Sequence, residues 1–155
     1  MPYRNSDSKQ QFKAVEDIIT RWLKERRAIL GKYTEIVVGL DGLLGPDGLQ
    51  QRQQALCEIL VDYISAGHFE VFHELLEEAE SFGDGSGVLA ENIMPAIADT
   101  TEVILAYEEK YGENGADTAR LKRDLSALGE VLESRFLLED RLIAGLHNSH
   151  RRQMD

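Results

Sequence analysis

Cysteine occurs once, at Cys57, so the chain can form no internal disulfide. A lone cysteine with no histidine close by in sequence reads as a small buried apolar residue in a reducing compartment. Proline occurs three times, too seldom to interrupt helices often. No apolar run approaches the roughly 20 residues that a membrane span needs. The opening "MPYRNSDSKQ" has no apolar core of a signal peptide. These absences predict a cytoplasmic protein that makes no use of a membrane. Basic residues are scarce over one long stretch. Between Glu70 and Glu113 stand twelve acidic residues and one base, Lys110. That stretch accounts for the whole formal charge of −11, so the rest of the chain is neutral. Such a surface repels phosphates and attracts basic protein faces, which argues against direct nucleic-acid binding. Solvated helix faces that promote solubility are the other reading of the same acids.

Signatures of chemistry are missing as well. No phosphate-cradling glycine loop leads into GK[ST], and no nucleophile elbow is present, so neither catalysis nor a cofactor is expected. Two-iron helical bundles use two Glu-x-x-His motifs on facing helices and two further glutamates. "EVFH" supplies one such motif, Glu70 and His73, and there is no second. A single cysteine makes no zinc site either. No metal is therefore expected, although "EVFH" and the carboxylates near the core keep a metal- or redox-handling bundle as the rival reading.

What is present is helical periodicity. The 155 residues suffice for one domain around one core, and 43% of them are apolar. Glycines gather in "GLDGLLGPDG" (39–48), "GDGSG" (83–87) and "GENG" (112–115), which read as connections. Four helices are predicted between them: about Ser8–Val38, Leu49–Phe82, Val88–Tyr111 and Ala116–His147. Phe12, Val15, Ile19, Trp22, Ile29, Tyr33 and Ile36 step by threes and fours in the first, and the other three carry similar stripes. Gly67 should weaken or bend the second helix, and Pro95 should kink the third. Helices of ~25–33 residues, some 38–50 Å long at 1.5 Å per residue, predict an all-α, up-down-up-down antiparallel four-helix bundle. A single domain over residues 1–155 is expected, with 1–7 and 148–155 as frayed tails. Monomer and dimer are both compatible with the pattern.

Several polar residues stand on or beside the apolar stripes. Arg26 breaks the first, Asp62 and His68 lie midway along the second, and Arg135 and Glu139 interrupt the fourth at i and i+4. Long side chains that snorkel and pair at the stripe edge give one account. A polar network that fixes one surface in one shape gives the other. Sequence alone leaves both open.

Three stretches are distinctive together: "DIITRWLKERRAIL" (17–30), "LVDYISAGHFEVF" (60–72) and "LGEVLESRFLLEDRLI" (128–143). With them the chain resembles the regulator-of-sigma-D/AlgQ family of bacterial anti-sigma factors, from about residue 10 to residue 147, and most closely its AlgQ-type members. The resemblance implies a helical bundle and a function. It implies binding to the primary sigma factor of RNA polymerase, chiefly the C-terminal region that reads the −35 element, keeping it from core enzyme and promoter. Phosphotransfer or stress-response proteins are further partners it suggests, for an adaptor role. The matching positions are Arg21, Trp22 and Arg26; Asp62, Ser65, Gly67, His68 and Phe69; and Arg135, Phe136, Glu139 and Asp140. Trp22 and Phe136 read better as core than as contacts. Asp62 is the leading contact or network residue, since an acid has no place in an apolar seam. Gly67 is expected to let a neighbour approach closely, with His68 presenting a polar edge beside Asp62. The glycine-rich connection at 39–48 is longer than in the simplest members.

Overall fold

The computed structural model describes residues 2–40, 42, 45–113 and 117–154, with side chains from Ser8 onward. Its elements are α1 (Pro2–Gly39), α2 (Pro46–Ala66), a π turn (Gly67–Val71), α3 (Phe72–Phe82), α4 (Gly87–Tyr111), α5 (Leu121–Leu146) and a 3₁₀ segment (Asn148–Met154). No strand occurs among the described residues. None of these helices is long and apolar enough to cross a membrane. Helix α1 packs mainly on α2, α4 on α5, and α2 on α4. The predicted stripes meet at the centre: Val15, Ile19, Trp22, Ile29 and Ile36 join Leu56, Leu60, Leu75, Ile97, Ile104, Leu125 and Leu132 in one buried cluster.

Local chemistry sets the helix ends. Pro46 opens α2 at a position where its missing N–H costs no hydrogen bond. Gly83 closes α3 in the left-handed region at φ 61°, its N–H bonded to the Ala79 carbonyl. Helix α4 continues through Pro95, which lacks the N–H that would serve the carbonyl four residues earlier.

The second predicted helix is not one α-helix. It divides at Gly67, where the bonding pattern widens so that the N–H of Phe72 reaches the carbonyl of Gly67. At this point a side chain packs against the ladder and adds a bond to it. The indole Nε1 of Trp22 donates to the Tyr63 carbonyl at 3.0 Å, the same oxygen that the Gly67 N–H shares with that of Ile64. Trp22 stacks on Tyr63 with centroids 4.5 Å apart and meets Phe72 edge-on at 5.5 Å. Gly67 is the residue that admits it, because a Cβ there would lie 2.9 Å from Cζ2 of Trp22. The wider turn buries Gly67, Val71 and Phe72 and pushes His68, Phe69 and Glu70 outward in succession. Gly67→Ala gains up to about 1 kcal/mol of helix propensity but overpacks a fixed ring, which costs about 1–3 kcal/mol. A lower urea midpoint with unchanged helix signal is expected. A higher midpoint would show that the indole yields.

Within the predicted C-terminal tail, 148–155, the described residues 148–154 pack against the helices. Helix α1 begins at Pro2, and residues 148–154 form a 3₁₀ segment that anchors the C-terminus. His147 and His150 are buried around the buried carboxylate of Glu78. His147 Nδ1 lies 2.9 Å from Glu78 Oε1, and His150 Nε2 lies 2.8 Å from Asp84 Oδ2. Phe12 stacks on His147 at 4.0 Å and Phe82 on His150 at 3.8 Å. Arg151 bonds Glu16 of α1. A polar-looking tail is thus pinned by side chains distant in sequence.

Candidate functional site

Beneath the π turn lies a buried polar network built from the residues that interrupt the stripes. Glu139 is fully buried on α5. Its Oε2 accepts from Arg135 Nε at 2.9 Å, and its Oε1 from Arg26 Nη2 at 3.1 Å and from the Tyr63 hydroxyl. Arg26 also donates to Tyr63 Oη at 3.2 Å and to Asp140 Oδ1 at 2.7 Å, and sits 4.7 Å above the Phe136 ring. Arg135, 1% exposed, sends Nη1 to Thr101 Oγ1 at 2.7 Å, Thr100 Oγ1 at 3.1 Å and the Ile97 carbonyl at 3.4 Å. Burial disfavours the charge on Arg26, but Tyr63, Asp140 and Glu139 outweigh it and hold its pKa above the ordinary value. Burial raises the Tyr63 pKa, with Glu139 adding to the effect. Burial also raises that of Glu139, against the pull of Arg135, Tyr63 and Arg26. Arg135 and Glu139 are therefore not a snorkelling pair at a stripe edge. They join α5 to α1, α2 and α4.

Above this network a groove of about 760 Å³ runs between α2 with the π turn and α4. Val61, Ile64, Phe69 and Phe72 form one wall, Met94, Pro95, Ala98 and Leu105 the other, and Arg135 lines it from below. Phe69 is 77% exposed, a large apolar side chain held in water by the π turn. Ser65 and His68 line the same groove.

Asp62 lies elsewhere. It is exposed, and its charge acts with that of Glu70, after burial, to raise the pKa of Glu25 on α1. Glu70 pairs with the exposed Arg21 at 3.6 Å. The predicted edge of His68 beside Asp62 is thus replaced by two faces that meet at the π turn. An acidic face carries Glu25, Asp62 and Glu70, and an apolar groove carries Ser65, His68 and Phe69. Trp22 and Phe136 are core, and Gly67 is the seat of the indole. Arg26, Arg135, Glu139 and Asp140 form the network.

Sequence reading missed three things. Tyr63 looks like one more core aromatic, Thr100 and Thr101 look like ordinary helix residues, and Met94, Ala98 and Leu105, which wall the groove on α4, lie off the predicted stripe. Glu78 was legible in principle, since it falls three residues after Leu75 and four before Phe82 on the buried face.

The thiol of Cys57 is 2% exposed and pushed up to about 12 by burial and then by Glu108, which leaves it protonated and inert. One group of possible metal donors appears among the described residues, His73, Glu74 and Glu77, with donor atoms within 4.8 Å of one another. It lies on the surface of α3, and His73 already contacts Glu77 at 3.1 Å. Glu70, the other half of the predicted motif, faces Arg21 instead.

Fold and site together define an acidic, all-helical protein organised around an apolar surface groove. Family comparison gives it a more particular place. The chain belongs to the Rsd/AlgQ family, whose model, described as regulator of RNA polymerase sigma(70) subunit, matches residues 1–147. Curated relatives include the "Regulator of sigma D" proteins of Salmonella arizonae, Salmonella paratyphi B and Salmonella newport. Each is 35% identical over 130 residues, covering 81% of this chain and 79% of the relative. No solved structure matches.

Proposed function

We propose that this protein is a cytoplasmic anti-sigma factor. It binds the C-terminal, −35-reading region of the primary sigma factor and keeps it from core polymerase and promoter DNA. The scaffold in this reading is an up-down-up-down four-helix bundle, its second helix bent by the π turn. The observation that carries the reading is the exposure of Phe69 at the lip of an apolar groove, next to an acidic face, in a member of this family. An aromatic anchor beside a complementary pocket is the usual form of a binding hot spot. A helix-turn-helix that reads DNA presents basic residues to phosphates. The face bearing Glu25, Asp62 and Glu70 offers those residues carboxylates in place of the backbone, while the groove takes apolar side chains.

The two faces divide the labour. Exposed carboxylates steer encounter and add little to the lifetime of a complex, whereas buried apolar contacts set the off-rate. Asp62→Ala is therefore expected to slow association and flatten its salt dependence. The thermal midpoint should stay within about a degree or two, because exposed substitutions away from packed features change stability by less than about 0.5 kcal/mol. Stopped-flow association with the isolated sigma region at several salt concentrations, alongside thermal melts, checks both. Absence of any complex at low salt would end the reading, and an unfolded Asp62→Ala variant would place Asp62 in the scaffold.

A further inference from the structure

The network below the groove is unevenly matched. Two guanidiniums, Arg26 and Arg135, share the one fully buried carboxylate of Glu139. Arg26 has a second partner in Asp140. Arg135 has none: its remaining bonds go from Nη1 to neutral oxygens of Thr100, Thr101 and Ile97. Its Nη2 makes no hydrogen bond to any described residue. This guanidinium is 1% exposed and lines a groove of about 760 Å³ whose walls are otherwise mostly apolar. Nη2 is the donor of this guanidinium that stays open at the groove floor, and a ligand carboxylate that replaces water there gains a charge-assisted bond.

We propose that the groove is a binding site for an aliphatic monocarboxylate. Its carboxylate accepts from Arg135 Nη2 at the floor, and its chain lies on Ile64, Phe72, Met94 and Ala98. The volume lies within the roughly 300–1,000 Å³ of small-molecule sites, and apolar walls with one or two placed polar groups are their usual lining. A carboxylate suits an arginine fork better than a hydroxyl, because a charge-assisted bond is about twice as strong. An ammonium head would meet Arg135 with like charge. Glu91 also lines the groove, but it is exposed and water screens its repulsion. Because Phe69 and Met94 line the same space, an occupied groove excludes the apolar anchors of the protein partner. That consequence alone rests on the function proposed above.

The test compares three probes on the unmodified protein, which avoids disturbing Arg135. Decanoate, decanol and decylamine are titrated against protein carrying ¹³C-methyl methionine, with the Met94 methyl as reporter. Decanoate should move that signal saturably and bind about tenfold or more tighter than decanol, as expected for a hydrogen bond to a charged group. Decylamine should bind more weakly than either. Equal affinity for decanoate and decanol, or no shift of Met94 with any probe, overturns the site. A second arm adds decanoate to the complex with the sigma C-terminal region. Release by decanoate but not by decylamine supports mutual exclusion, and an undisturbed complex overturns it. If the sigma region never binds while decanoate does, the partner reading fails, the exclusion built on it falls, and the site stands.

Discussion

Glu139→Leu is expected to destabilise the protein by about 3–5 kcal/mol, the cost of breaking a buried ion pair and leaving its partner charged. Few single substitutions here should cost more. Glu139 is the carboxylate on which Arg26, Arg135 and Tyr63 converge, and it is fully buried. Removing it strands Arg135, which has no other acid, while Arg26 keeps Asp140. Total stabilities of small domains are about 5–15 kcal/mol, so the loss should be visible as a large drop in denaturant midpoint. The cause can be isolated with a second change. Replacing a whole buried pair with apolar groups is often close to neutral. Arg135→Met combined with Glu139→Leu should therefore be more stable than Glu139→Leu alone, and a double-mutant cycle measures the coupling. A single variant that loses less than about 1 kcal/mol would show that water reaches the network and compensates it.

Phe69→Ala should act on the other side of the ledger. The side chain is 77% exposed, so truncation removes little folded-state packing and the thermal midpoint should barely move. Affinity for the sigma C-terminal region should fall by about 2 kcal/mol or more, roughly thirtyfold, as for an aromatic hot spot. The loss should appear mainly as faster dissociation, in contrast to Asp62→Ala, whose effect lies in association and its salt dependence. Calorimetric titration and surface-capture kinetics on both variants separate the two contributions. If Phe69→Ala binds as tightly as the parent, the apolar lip is not where the partner seats.

The long helices were legible because apolar residues recur at threes and fours and glycine clusters mark the connections. The position of the break at Gly67 was legible for the same reason, as a weak residue in a strong pattern. Its form was not. The π turn forms where Trp22, 41 residues earlier, donates to the carbonyl of Tyr63, and sequence spacing carries no record of that contact. Arg26, Arg135 and Glu139 announced themselves as interruptions of apolar stripes. Their joining through Tyr63, Thr100 and Thr101 depends on how four helices are rotated about their axes, which periodicity fixes only loosely. The groove was hidden for a related reason: Met94, Ala98 and Leu105 belong to a helix apolar on more than one face, and nothing local says which face lacks a neighbour. The C-terminal segment misled in the opposite sense. "HNSHRRQMD" reads as a solvated tail, yet His147 and His150 are buried against Glu78, about 70 residues away, whose own charge on a buried face was the available clue.

The most direct measurement is an amide chemical-shift titration of isotope-labelled protein with the C-terminal region of the primary sigma factor. On this account, the perturbed amides gather at Asp62–Phe72 and Glu91–Leu105, the two sides of the groove and its acidic border, at one-to-one stoichiometry. Shifts confined to the surface formed by Leu40, Leu49 and Thr118–Arg123 would contradict the account.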